Sequence, residues 1–244
     1  MKTALIDRLL AAQQAGEPVA VATALATGQQ ALVTPTESEG DLTLDAEALV
    51  AVRKALEADA STTVTLGGTA LFIEVYNPPL RLVVVGAVHI AQPLAPMAAL
   101  AGYKVTVIDP RSAFAADERF PGVELSTEWP DEALARLRPD RRTAIVTLTH
   151  DPKLDDPALE AALRSDAFYV GALGSRKTHA ARVGRLTEAG FDAETIGRIK
   201  GPVGLAIGAL SPAEIAISIL GQITAVLHGA PIGSMPPGSG KPAA

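Results

Sequence analysis

Residues 81–91 read Arg81-Leu82-Val83-Val84-Val85-Gly86-Ala87-Val88-His89-Ile90-Ala91. The unbroken apolar run up to Val85 is what a strand buried on both faces requires. Gly86 supplies a tight turn, and a helical pattern follows from about His89 to Ala101. The same alternation repeats downstream. Strands are predicted at Lys104–Ile108, Gly122–Leu125, Thr143–Leu148 and Ala167–Val170. Helices are predicted at Asp131–Leu137, from Asp156-Pro157 onward, at Lys177–Ala189 and from Ser211 to about His228. Asp156 is read as a cap with Pro157 in the first turn, and Ser211-Pro212-Ala213-Glu214 as a capping box. Strands alternating with helices imply an α/β fold, a doubly wound parallel sheet of Rossmann-like type built from βαβ units. Ligands of such sheets bind beyond the carboxyl ends of the strands, where the motifs below all fall.

Upstream of Asn77-Pro78-Pro79 the pattern differs, and the prolines mark a domain boundary. Residues 1–78 read as a small N-terminal α+β domain. It has a helix to Ala15, strands at Val19–Leu25 and Gln30–Thr34, a helix from Asp45 to about Ala58, and a hairpin through Gly67-Gly68. Residues 79–230 form the larger domain, and 231–244, rich in Gly, Pro and Ser, read as a disordered tail. Residues 1–80 hold four Lys/Arg and ten Asp/Glu, which accounts for the whole net charge of -6. The rest is balanced, so bulk electrostatic binding to nucleic acid is not expected. There is no cysteine, which excludes thiolate metal sites and cysteine nucleophiles. No leader-like segment or membrane-length apolar run is read, and a cytoplasmic protein is expected.

Five segments could carry chemistry. A dinucleotide fingerprint after the first strand would read Gly-x-Gly-x-x-Gly. Here Gly86 keeps the turn, Val88 takes the second glycine's place and Ala91 the third, so the segment serves either an anion near the helix N-terminus or a plain turn. Asp109 ends the second strand, where a ribose-binding acid would sit, or else caps the loop Asp109-Pro110-Arg111; Arg111 could take a phosphate. Thr149-His150-Asp151 closes the fourth strand, and His150 could donate a hydrogen bond or move a proton, unless Asp151-Pro152 merely turns the chain. Gly171-Ala172-Leu173-Gly174-Ser175-Arg176-Lys177 follows the fifth strand. Its glycines would free backbone amides, Ser175 would cap a helix, and Arg176, Lys177, His179, Arg182 and Arg185 would form a basic face around an anion. Gly201–Ala209, containing Gly204, is either a ligand-closing loop or a connection. Asp155-Asp156 read as helix caps.

Taken together these segments resemble the XdhC/CoxI family. The matching stretches are the Gly86–Ala91 turn (a Gly-x-Gly-His-x-Ala pattern with Val88 for the second Gly), Val105–Arg111, Leu148–Leu159, Tyr169–His179 and Gly201–Ala216. The resemblance covers nearly all of residues 80–229. Departures are the missing Gly-Ser-x-Pro-Arg and Gly-Gly-Cys segments of the family's N-terminal domain, Val88, and Ala206 where the family loop carries Asp.

The resemblance implies a non-catalytic maturation factor. Such a protein binds molybdenum cofactor as cargo, assists its sulfuration by a cysteine desulfurase, and passes it to an apo molybdenum hydroxylase such as xanthine dehydrogenase or CO dehydrogenase. A homodimer is compatible with it. The implied cofactor-binding residues are Gly86, His89, Asp109, Arg111, Thr149, His150, Asp151, Gly171, Gly174, Ser175, Arg176 and Gly204, with no protein metal ligands. Two other readings stay open: an NAD(P)-binding oxidoreductase, and a partner-binding regulator without ligand.

Overall fold

The computed structural model describes residues 3–114 and 117–231; the expected tail, from residue 232 on, lies outside them. The chain divides at Pro78/Pro79 into two compact units.

The first unit contains α1 (Thr3–Ala15), β1 (Val19–Ala24), β2 (Gln30–Val33), β3 (Ser38–Gly40), α2 (Ala46–Ala58), β4 (Thr62–Leu66) and β5 (Thr69–Tyr76). The strands form an antiparallel sheet in the order β3-β2-β1-β5-β4. Asp45 caps α2 by accepting from the Ala48 amide at 2.8 Å, as its sequence position predicts. Alternation along the strands sends Ala20, Ala22 and Val33 to pack with Val52, Ala55 and Leu56 of α2. Val19, Val21 and Leu32 face Leu5, Leu9 and Ala12 of α1 instead. The three-residue β3 is too short to leave a periodic signal in the sequence.

The second unit runs β6 (Leu80–Val85), α3 (Ala91–Leu100), β7 (Tyr103–Ile108), a 3₁₀ turn (Asp117–Arg119), β8 (Glu124–Ser126) and α4 (Pro130–Leu137). It continues through β9 (Thr143–Thr147), α5 (Pro152–Leu163), β10 (Tyr169–Ala172), α6 (Arg176–Glu188), α7 (Ala193–Ile196), β11 (Ile199–Lys200) and α8 (Pro212–Leu227). All strand pairs are parallel, in the order β11-β10-β9-β6-β7-β8. The order reverses between β6 and β9, so the chain winds outward in both directions from that pair. Strand residues alternate between two cores. Leu82, Val84, Val105, Val107, Ala144 and Val146 pack with α3 and α8. Val83, Val85, Ile145, Val170 and Ala172 pack with α4, α5, α6 and α7. Helices thus cover both faces, the arrangement that unbroken apolar strands call for.

Three sequence expectations are corrected. Helix α5 begins at Pro152 and is capped by Asp151, whose side chain accepts from the Lys153 amide at 3.0 Å; Asp156 and Pro157 lie inside it. β10 is displaced by two residues and includes Gly171. The short elements α7 and β11 add to the expected set. The capping box at Ser211 and Glu214 forms as expected, with both reciprocal hydrogen bonds present.

Candidate functional site

The strand order reverses beside β6 and β9, and the loops after these strands touch. Gly86 is buried with φ +109°, a conformation side chains rarely adopt. A Cβ there would lie 2.7 Å from Thr149 Cγ2 and 3.2 Å from the Thr149 amide nitrogen. Glycine is therefore required for this loop to pass the next one. Val88 is half-buried and packs on the α3/α8 core, and His89 is exposed in the turn before α3.

Asp109, at the end of β7, is fully buried. Its carboxylate accepts from the Ala87 amide at 2.9 Å, the Arg111 amide at 3.0 Å, and Arg111 Nε and Nη2 at 2.8 Å each. The loop-capping role is the one observed, and both carboxylate oxygens are engaged by the protein's own donors. Burial pushes this carboxyl up, but the hydrogen bonds from Arg111 and Ala87 and the Arg111 charge outweigh it and hold it below the usual aspartate range. The same contacts fix Arg111 as a flat plate over the Phe114 ring, 4.5 Å from its centroid, leaving Nη1 unused by Asp109. Asp109→Asn should therefore destabilise the protein by about 2 kcal/mol at neutral pH, the scale of charged hydrogen bonds lost. A depressed carboxyl contributes stability above its unfolded value near 3.8, and that contribution is lost as pH falls through the lower folded value. Urea unfolding from pH 7 to about 2.5 should show the two proteins converging only at the acidic end; a constant gap would contradict the assignment.

On the other side of β6, Thr149 Oγ1 donates to Asp155 at 2.7 Å and accepts from the Asp151 amide at 3.0 Å. His150 takes a left-handed φ of +61° and is exposed. Asp155 is not a cap: it is buried, at 2% exposure, in the first turn of α5. Burial raises its carboxyl, with the Thr149 hydrogen bond and the Arg182 charge offsetting only part of the effect. Asp156 is likewise not a cap; it pairs with Arg185.

The loop after β10 departs from expectation in two ways. Gly171 lies within the strand, paired with Val146 and Lys200. Its missing side chain makes room for Val203 and the Tyr169 ring, 2.6 and 2.8 Å from where a Cβ would be, so it does not offer a free amide. The basic face of α6 is also divided. Arg182 is 2% exposed and Arg185 is tied to Asp156, whereas Arg176 and Lys177 are exposed with no ion pair among the described residues. Ser175 caps α6 by accepting from the Thr178 amide at 3.1 Å, and Gly174 enters with φ +143°. A helix N-terminus with two uncommitted cations is thus placed at the carboxyl edge of β10, a favourable seat for an anion.

Gly204 is held from both sides by one amide. Its N–H donates to Gln222 Oε1 at 3.0 Å and its carbonyl accepts from Gln222 Nε2 at 3.1 Å. Tyr169 Oη donates to the same Oε1 at 2.5 Å. His179, which the sequence places in the basic face, is half-buried with Nδ1 enclosed and without a hydrogen-bond partner among the described residues. A Cβ at Gly201 would collide with that nitrogen. Burial and the Arg182 charge lower its pKa. A cavity of about 520 Å³ lies elsewhere, in the first unit, bounded by Arg8, Gln30, Glu39 and Asp41. It contains none of the residues above, and chemistry rather than concavity selects the sheet edge.

The fold and this edge define a Rossmann-type domain with ligand-facing loops at the reversal of strand order and uncommitted positive charge at a helix N-terminus. Residues 82–223 match the family described as the XdhC Rossmann domain, and the chain belongs to the XdhC family. It is 33% identical over 165 residues to "Molybdenum cofactor insertion chaperone PaoD" of Escherichia coli (strain K12), covering 67% of this chain and 46% of that protein. It is 33% identical over 156 residues to a probable xanthine dehydrogenase protein of Bacillus subtilis (strain 168), covering 64% and 45%. The fold is similar to the crystal structure of a xanthine dehydrogenase from Bacillus halodurans, with TM-score 0.73 and 24% identity over 93% of this chain and 67% of that one. The chain spans less than half the length of these two curated relatives.

Proposed function

We propose that this chain binds molybdenum cofactor at the carboxyl edge of its Rossmann sheet and delivers it to a molybdenum hydroxylase such as xanthine dehydrogenase or CO dehydrogenase. The reading is carried by one observation: the segment matching the XdhC Rossmann domain is the segment that places Arg176 and Lys177, exposed and without an ion pair among the described residues, at the N-terminus of α6. The name of the E. coli relative supports the choice of cargo. The residues present suit a pterin phosphate. Arg176 and the first amides of α6 would take the phosphate. Arg111 Nη1 would add a further donor, and His89 and His150 lie exposed on loops of the same edge. The pterin brings the molybdenum and its sulfur chemistry; the chain supplies binding and orientation. With no cysteine in the sequence, sulfuration of the cargo would draw on another protein's thiol, such as that of a cysteine desulfurase. Asp109 supports this over a nicotinamide dinucleotide, because a carboxylate engaged by Ala87 and Arg111 is not offered to a ribose diol.

Equilibrium binding of molybdenum cofactor, with NAD, NADP and nucleoside triphosphates as comparators, tests the reading. The wild type should select the cofactor, and Arg176→Ala should weaken it by about 1.5–3 kcal/mol, the value of a lost charged hydrogen bond. Selective NAD(P) binding would replace this function with a dinucleotide-dependent one. Binding of none of them would end the cargo model.

A further inference from the structure

Asp155 and Arg182 are buried, each with about 2% exposure, on consecutive helices α5 and α6. Arg182 Nη2 lies 3.8 Å from Asp155 Oδ2 and donates to the Leu173 carbonyl at 3.0 Å. Asp155 Oδ1 accepts from Thr149 Oγ1, which in turn accepts from the Asp151 amide. A continuous polar chain therefore runs beneath the sheet edge, from the loop that presents Ser175 and Arg176 to the loop that presents His150. Each charged residue holds the loop preceding its own helix, and the ion pair joins the two helices. Its energetics are poor for a stabilising contact. Arg182 Nε and Nη1 have no partner among the described residues, and burial lowers the guanidinium pKa as it raises that of Asp155. Apolar residues of similar volume would fill such a space at equal or lower cost. What they could not do is grip a carbonyl on one loop and a hydroxyl on the other.

We infer that Arg182 and Asp155 are positioning residues: a buried strut that fixes the Thr149–Asp151 loop relative to the Leu173–Ser175 loop and so sets the spacing of the anion-binding edge. Its consequence for cargo binding rests on the function proposed above; its effect on the loops does not.

The test is hydrogen exchange followed by mass spectrometry on the full chain without ligand, together with cofactor affinity. In Asp155→Leu/Arg182→Met the thermal midpoint should stay close to wild type. Amides of both segments 148–152 and 172–176 should exchange at least about tenfold faster, and those of β6 and β7 should not. Cofactor affinity should fall about tenfold or more. Arg182→Lys keeps a charge for Asp155 but offers a point charge instead of a planar fork, so segment 172–176 should loosen while 148–152 stays protected. Unchanged exchange in the double variant, or a change in one segment alone, overturns the strut. If the double variant does not fold, the lysine variant decides: continued protection of 172–176 overturns it. Faster exchange in both segments of the double variant, together with a wild type that binds no cofactor, would leave the strut standing and remove the cargo function.

Discussion

Arg182→Met is expected to lower the unfolding free energy by about 3–5 kcal/mol, the cost of leaving one member of a buried ion pair uncompensated. Asp155 would keep the Thr149 hydrogen bond but lose the only cation paired with it among the described residues. Urea denaturation measures the loss, and adding Asp155→Leu should recover most of it, because the pair then disappears as a unit. The defect should also depend on pH. A carboxyl whose folded value is raised binds its proton more readily in the native state, so its penalty is absent below the unfolded value near 3.8 and grows as pH rises through the folded value. Arg182→Met should therefore approach wild type in acid and depart from it toward neutrality. A loss under about 1 kcal/mol at pH 7 would mean that water reaches Asp155 and that the pair behaves as a surface contact.

Gly86→Ala is the second large effect, about 3 kcal/mol. One part comes from forcing a side chain into φ +109° and the other from overpacking against the neighbouring loop. The two parts separate experimentally. The nearest obstruction is Thr149 Cγ2, at 2.7 Å from the added carbon, whereas the hydrogen bond to Asp155 uses Thr149 Oγ1. Gly86→Ala/Thr149→Ser removes the methyl and keeps the hydroxyl. Its unfolding energy should lie between those of Gly86→Ala and wild type, with the remaining gap reporting backbone strain. Strict additivity of the two substitutions would show that the loops do not press on one another.

The α/β class is legible because buried parallel strands leave an unmistakable apolar run at Leu82–Val85, and because Ser211 and Glu214 write a helix start in side-chain chemistry. The start of α5 is misread from sequence for a physical reason. Asp151-Pro152 and Asp156-Pro157 each offer a cap followed by a first-turn proline, and only the tertiary demand to bury Leu154 and Asp155 decides between them. Strands of two or three residues, such as β11 and β3, carry too few side chains for periodicity. The candidate edge follows from strand ends and the Ser175-Arg176 cap. Its supports do not, since Asp155 and Arg182 are far apart in sequence and meet only through a helix–helix contact. By itself Asp155 looks like a cap and Arg182 like one more solvated cation. His179 is hidden similarly, because its place depends on the missing side chain at Gly201.

The glycines of the two rich loops bear on how this protein would tolerate change. Gly171 is filled by Val203 and Tyr169, Gly201 by His179, and Gly204 by Ser218; none of these occupants is a ligand. A saturation library sorted only for soluble, folded protein should already be depleted at these three positions. Arg176, exposed and without an ion pair among the described residues, should pass that sort unmarked and be depleted only when the library is sorted for cargo capture. Subtracting one tolerance profile from the other would trace the contact surface residue by residue, with the glycines cancelling out.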